Sequence, residues 1–466
     1  MGSERGPTRL GPAEARGVGA KREGDLVLGE ARPWTAEAPQ DIVIGRGAIE
    51  AILPAGGGRP GVRRLAADGR LVLPGLVNVH AHLDKALLAG RIPNASGTIG
   101  EARRRMKEAK AAFTAADVRE RAGRVLRRSL QHGVTALRTH VDIDPAVGLT
   151  SVEALLALRE ELAGAIDLQL VAFPQEGIDE QPGTEDLMRE ALRLGVDVVG
   201  GHLSIAADLG ALRRQTDIVF RLAKAFDRDV DVHVDFDIDR DYGRTVSTHA
   251  DGRRYPDGLG AVSLAEKTIA EGYQGRVTAS HLCGLDAVPP ELRRNVIDLL
   301  RRAGVSVVAL PSNNMYVHGR EDATGTRRGV TRLRELQAGG VRVAVGPDNI
   351  RDPFDPFGNT DLIQNAVLAS LACHLVTPED FWTMLGLHTW TAAEIMRLPS
   401  YGLAPGCQAD LVVFEARGLD DLLDGDTART WVLKRGRIVA ATEMAHRLEL
   451  PGACDPASIP ASTPTT

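Results

Sequence analysis

Two rhythms of apolar and polar positions alternate along the chain. Near its beginning, at 25–29, 41–45 and 48–53, short apolar runs of period two are broken by Gly and Pro, and the same pattern returns at 409–414, 430–434 and 437–440. Such runs predict strands joined by tight turns. Between them, apolar β-branched runs are each followed by an amphipathic stretch of a dozen or more residues. The strand candidates are 73–82, 135–142, 168–174, 196–202, 230–236, 276–281, 305–310 and 341–348, with helices between them such as 117–132, 151–161, 184–194, 211–226 and 290–303. Eight such units predict an α/β fold, a (β/α)8 TIM-type barrel, with an open doubly wound sheet as the rival. No G-x-G-x-x-G follows the first run, which removes the usual reason to prefer a nucleotide-binding sheet. The two terminal strand sets are expected to join into one small β-sandwich. The predicted domains are residues 25–72 plus 400–445 for the sandwich and 73–399 for the barrel, with 1–24 disordered and 446–466 a tail.

Composition narrows this picture little. At 466 residues and 43% hydrophobic, the chain can bury a large core. A net charge of −6 offers no basic field for a polyanion, so no nucleic-acid partner is expected. The four cysteines, Cys283, Cys373, Cys407 and Cys454, show no paired spacing, which argues against a disulfide framework and suits a reducing cytoplasm. No apolar run reaches the ~18 residues a membrane span needs, and residues 1–22 lack the apolar segment of a signal peptide. A cytoplasmic homo-oligomer is expected.

The chemistry gathers at the C-terminal ends of the candidate strands, where a barrel builds its active site. The first ends in Val79-His80-Ala81-His82, whose alternation sends both imidazoles to one face. The third runs into Pro174-Gln175-Glu176, the fifth ends in Asp231-Val-His233-Val-Asp235-Phe236-Asp237, the sixth in Ser280-His281 and the eighth in Pro347-Asp348-Asn349. Brought to one mouth, three or four imidazoles and a carboxylate suit Zn2+ or Fe2+, which make water nucleophilic near neutral pH.

These motifs also carry a resemblance. Pro74-Gly-x-Val-x-x-His80-x-His82-Leu-Asp84, Val171-Ala-Phe-Pro-Gln-Glu-Gly-Ile178, Asp231-Val-His233, Val277-Thr-Ala-Ser-His281 and Asp348 with Asp352-Pro-Phe-Asp-Pro-Phe-Gly358 stand in the order of the bacterial cytosine deaminase branch of the amidohydrolase superfamily, which the chain resembles over most of its length. Arg138-Thr-His-Val-Asp142 and 327–332 are similar stretches. The resemblance implies one divalent metal ion held by His80, His82, His233 and Asp348, with Asp348 also taking a proton from the bound water. It further implies that His281 positions that water and the leaving group, that Gln175 hydrogen-bonds the ring's amide edge, and that the reaction removes an amino group from a nitrogen heterocycle by attack of metal-activated water. His318 and Asn314 are candidates for the pocket lining. His140, His202, His249 and His374 carry no assigned role, and Lys85 is expected as a solvated lysine near the mouth.

Two positions depart from that family. Phe236 stands where the cytosine deaminases have a proton-shuttling glutamate, and an aromatic ring transfers no proton. With a strand regular to its end, Asp237 shares the parity of His233, and it is the expected replacement, with Asp235 held by neighbours. Asn349 replaces a second aspartate facing the ring, so it both donates and accepts. The segment 242–260 is longer than expected after the fifth strand, either a lid or a surface insertion. The expected activity is hydrolysis of a C–N bond in a small nitrogen heterocycle. The alternatives are an amide or lactam hydrolase, an alkylamine-releasing aminohydrolase acting on a ring other than cytosine, and an inactive ligand-binding relative.

Overall fold

The computed structural model describes residues 25–58, 60–423 and 427–445, so the expectations for 1–24 and 446–466, and for Cys454, lie outside the described residues. Five strands come from the front of the chain: β1 (Leu26–Pro33), β2 (Gln40–Gly45), β3 (Ala48–Pro54), β4 (Arg63–Ala66) and β5 (Leu71–Pro74). The barrel strands follow as β6 (Leu76–Ala81), β7 (Val134–Asp142), β8 (Asp167–Phe173), β9 (Val198–His202) and β10 (Asp229–Val234). A short hairpin, β11 (Val246–Thr248) and β12 (Arg254–Pro256), interrupts before β13 (Val277–His281), β14 (Ser306–Ala309) and β15 (Val343–Val345) complete the series. The rear of the chain adds β16 (Leu411–Phe414), β17 (Arg429–Lys434) and β18 (Arg437–Ala441).

The eight barrel strands pair in parallel in chain order, from β6 to β15 without β11 and β12, with helices between them. The ring closes where Ala81 bridges Asp348 and the Asp348 N–H donates to the His80 carbonyl at 3.2 Å. This is the barrel expected from the sequence. The end strands form one sheet in the order β18-β17-β16-β5-β1-β2-β3, with β4 on β1, so both ends of the chain do meet in it. Leu26, Leu28, Ile42, Ile44, Val72, Leu411, Val413 and Leu433 fill its core.

The run 73–82 is two strands rather than one. The changeover falls at Gly75, whose N–H donates to the Asp410 carbonyl, and a Cβ there would meet the Thr135 side chain at 2.0 Å. The apolar pattern alone cannot show this break, because both pieces are fully buried. The segment 242–260 is a side insertion: β12 packs on the helix Pro290–Ala303, where Asn295 bonds the Arg254 carbonyl and Arg302 pairs with Asp251. No helix among the described residues is long and apolar enough to cross a membrane.

Candidate active site

His80 is the penultimate residue of β6, His82 lies one residue beyond the strand, His233 sits near the end of β10, and Asp348 follows β15 by three residues. All four are buried, and their ligand atoms lie within 4.8 Å of one another. Asp348 Oδ1 is 3.4 Å from His80 Nε2 and 3.2 Å from His82 Nε2, and the Nε2 atoms of His82 and His233 are 3.3 Å apart. Neither His80 Nε2 nor Asp348 Oδ1 has a hydrogen-bond partner. Convergent, buried ligand atoms of three imidazoles and one carboxylate, two of them unpartnered, fit a single divalent ion.

The tautomer of His80 follows from its neighbours. The Ser280 hydroxyl donates its one proton to Asp231 Oδ1 at 2.9 Å, so its oxygen accepts from His80 Nδ1 at 3.0 Å. That leaves the Nε2 lone pair for an ion. Asp231 is held ionised: burial opposes its charge, but His140 and Arg138 outweigh it and keep its pKa well below the usual carboxylate range. Burial likewise lowers the pKa values of His80, His82 and His233, which favours the neutral, ligating form.

His281 ends β13 with φ +73°, and Asp348 has φ +69°, two non-glycine residues in the left-handed region at one site. Thr331 fixes the first by donating to the His281 carbonyl at 2.6 Å. His281 Nδ1 donates to Asn314 Oδ1 at 3.0 Å, so Nε2, 3.9 Å from Asp348 Oδ2, keeps its lone pair. Burial pushes the His281 pKa to about 4. The Phe236 ring meets it edge-on, with centroids 4.9 Å apart.

The inner cavity is lined by His82, His233, His281 and Asp348 with Gln175, Asn349 and Phe236, so nearly all the expected residues converge. Asp237 does not. β10 stops at Val234 and Asp235 turns to φ +49°, which breaks the alternation on which its placement rested. Asp237 is exposed and accepts the Asp239 N–H, while Asp235 caps the helix Gly260–Ala270 through the N–H groups of Gly260 and Ala261. Asp348 is the only carboxylate on that lining among the described residues. Asn349 lines the cavity, but its amide is committed to the scaffold, accepting from Asn313 and donating to Asp352.

Lys85 is a further correction. It is buried, not solvated, and its ammonium donates to Asp142 Oδ1 at 2.7 Å and Gln175 Oε1 at 2.6 Å. His202, left without a role in the sequence, lines the cavity, and its Nδ1 donates to the Gln175 carbonyl at 2.8 Å. Ile99, Arg103, Asn313 and Phe354 complete the lining. His318 instead faces the outer cavity beyond Phe236.

A family model described as "Amidohydrolase family" matches residues 65–440. The chain belongs to the amidohydrolase family. It is therefore a hydrolase of carbon–nitrogen bonds. It is 34% identical over 403 residues to a pterin deaminase of Rhizobium rhizogenes, covering 86% of this chain and 87% of that one. It is 32% identical over 389 residues to the N-isopropylammelide isopropyl amidohydrolase of a Pseudomonas species, covering 81% and 88%. Among solved structures, 5-methylcytosine deaminase from Klebsiella pneumoniae liganded with 5-fluorocytosine superposes with a TM-score of 0.82 at 31% identity, covering 92% of this chain and 99% of that one.

Proposed function

We propose that this protein is a metal-dependent deaminase of small amino-substituted nitrogen heterocycles, working with one carboxylate. The observation that carries the reading is Asp348, which offers Oδ1 to the cluster of imidazoles and is the lone carboxylate of the inner cavity among the described residues. Zn2+ or Fe2+ held by His80, His82, His233 and Asp348 would supply Lewis acidity toward water and the sp2 carbon attacked. Asp348 takes the proton of the attacking water and delivers it to the leaving nitrogen, a task one general base performs in both directions. His281, neutral with its Nε2 lone pair free, accepts a hydrogen bond from the water and orients it. Phe236 packs edge-on against His281 and steadies its ring. The similar pterin and 5-methylcytosine deaminases support ammonia as the leaving group. A second reading, release of an alkylamine, is favoured by Phe236, which removes the shuttling carboxylate, and by the similar N-isopropylammelide hydrolase.

The test is a screen of metal-loaded protein against pyrimidines, pterins, triazines and lactams, with ammonia and alkylamine measured separately. Ammonia release is expected, falling by ~100-fold or more in Asp348→Asn and keeping its rate and pH profile in Asp237→Asn. Alkylamine without ammonia would move the assignment to the second reading. No release from any of these compounds would overturn both.

A further inference from the structure

Two cations lie on one stripe of the helix Ile99–Lys110, and they are treated differently. Ile99, Arg103, Met106 and Lys110 follow the i, i+4, i+7, i+11 spacing of a single face. Lys110, at the far end, is buried among Asp142, Asp144 and Glu176. Arg103 lines the inner cavity beside Gln175 and Asp348, yet it has no ion pair within 4 Å among the described residues, and its Nε is sealed from solvent without a hydrogen-bond partner. Glu176 and Asp237 act on this partly buried guanidinium only from beyond ion-pair distance, so its N–H groups remain available for charge-assisted hydrogen bonds to an oxyanion.

Gln175 gives a second, independent observation. Lys85 can only donate, so the amide oxygen must face it, and Nε2 is left for the cavity. Nε2 lies 3.4 Å from His202 Nδ1, whose proton already goes to the Gln175 carbonyl, so it finds no acceptor there. On one cavity lining, Gln175 and Arg103 therefore present unspent N–H donors and no acceptor to whatever fills the cavity. The room beyond them is ample: Ile99, Arg103 and Phe236 form a throat between the inner cavity, of about 30 Å³, and an outer one of about 480 Å³. A ring substituent pointing away from Asp348 would pass Arg103.

Resting on the deaminase reading above, we propose that the substrate is an anionic heterocycle, whose ring-borne carboxylate or comparable oxyanion is held by Arg103 while a ring oxygen or lone-pair nitrogen accepts from Gln175. Lys85 is the positioning residue that keeps the amide of Gln175 turned this way. The heterocycle's charge, rather than its size alone, then decides selection, because a neutral analogue forgoes the charge-assisted hydrogen bonds that Arg103 offers.

Matched pairs differing by one ring carboxylate, cytosine against its 5-carboxylate and pterin against its 6-carboxylate, test this in two readouts on the metal-loaded protein. Calorimetric affinity and kcat/KM for ammonia release are both expected to favour the carboxylated member by on the order of 10-fold or more, a preference that weakens with added salt. In Arg103→Gln the ratio within a pair should collapse toward one, and Arg103→Lys should restore part of it. Lys85→Met should weaken both members of a pair while leaving their ratio in place. Preferential binding of the carboxylates without turnover would sink the deaminase reading and leave the anion site standing. Turnover with no preference, or an Arg103→Gln defect equal for both members, would sink the anion site and leave the deaminase reading standing.

Discussion

Ser280 shows how one hydroxyl fixes the chemistry of its neighbour. It is fully buried, and its proton is committed to Asp231, so it can only accept from His80, which in turn must hold Nε2 as a bare lone pair. Removing the hydroxyl leaves His80 free to take the other tautomer, with its proton where the ion belongs. Ser280→Ala is therefore expected to weaken metal affinity by about 10–100-fold, read by competition with a chromophoric chelator, while the circular dichroism spectrum is unchanged. An affinity equal to wild type would dismiss the relay. At this scale the sequence shows the candidate ligands but not their support. His80, His82, His233, His281 and Asp348 are legible because each stands at the end of an apolar run. The roles of Lys85 and Arg103 are not, since a lysine and an arginine read as surface residues until their partners, or the lack of them, are placed, and Asn349, expected to face the ring, spends its amide on Asn313 and Asp352. Asp237 was misplaced by a parity argument that holds only while a strand stays regular, and Asp235 leaves the β region one residue past β10.

Among the elements, the joint between the end sheet and the barrel rests on a buried lysine. Lys434, at the end of β17 and fully buried, donates to Asp410 and Asp167 at 2.6 Å each and to the Thr135 carbonyl at 3.2 Å, so one ammonium ties the rear strands to β7 and β8. Arg435 adds a backbone bond to Asp410 and a pair with Asp167. Lys434→Met would keep the apolar stem but leave Asp410, largely buried, with no counter-charge and Asp167 with Arg435 alone. A loss of about 3–5 kcal/mol is expected, measured by urea unfolding of the metal-loaded protein, whereas a change below about 1 kcal/mol would show that the sheet is held by its apolar face alone. The barrel strands are readable in the sequence because β-branched runs recur between helical stretches. The helix Ile99–Lys110 is not, because charged residues occupy most of its positions and blur its period, with only Ala102, Met106 and Lys110 buried. The element that carries Arg103 is thus the one that apolar patterning hides.

For the molecule as a whole, the candidate metal site sits on the seam where the barrel closes. β15 is three residues long and meets β6 through the Ala81–Asp348 bridge and the bond from the Asp348 N–H to the His80 carbonyl. The side chains of His80, His82 and Asp348 converge across that seam, and His233 faces them from β10. An ion bound there links strand ends far apart in the chain and satisfies donor atoms that otherwise sit buried and unpartnered. Because such an ion binds the folded barrel and has no equivalent site in the unfolded chain, it adds stability by mass action, about 4 kcal/mol at a free concentration 1,000 times Kd. Stripping the protein with a chelator should lower its thermal midpoint by several degrees, and reloading should restore it. Hydrogen exchange should localise the loss, rising at 79–82 and 346–349 well before the end sheet around β1, β2 and β16. A stripped protein that melts like the loaded one, or that loses protection evenly throughout, would mean that the seam holds itself and that the ion serves the chemistry alone.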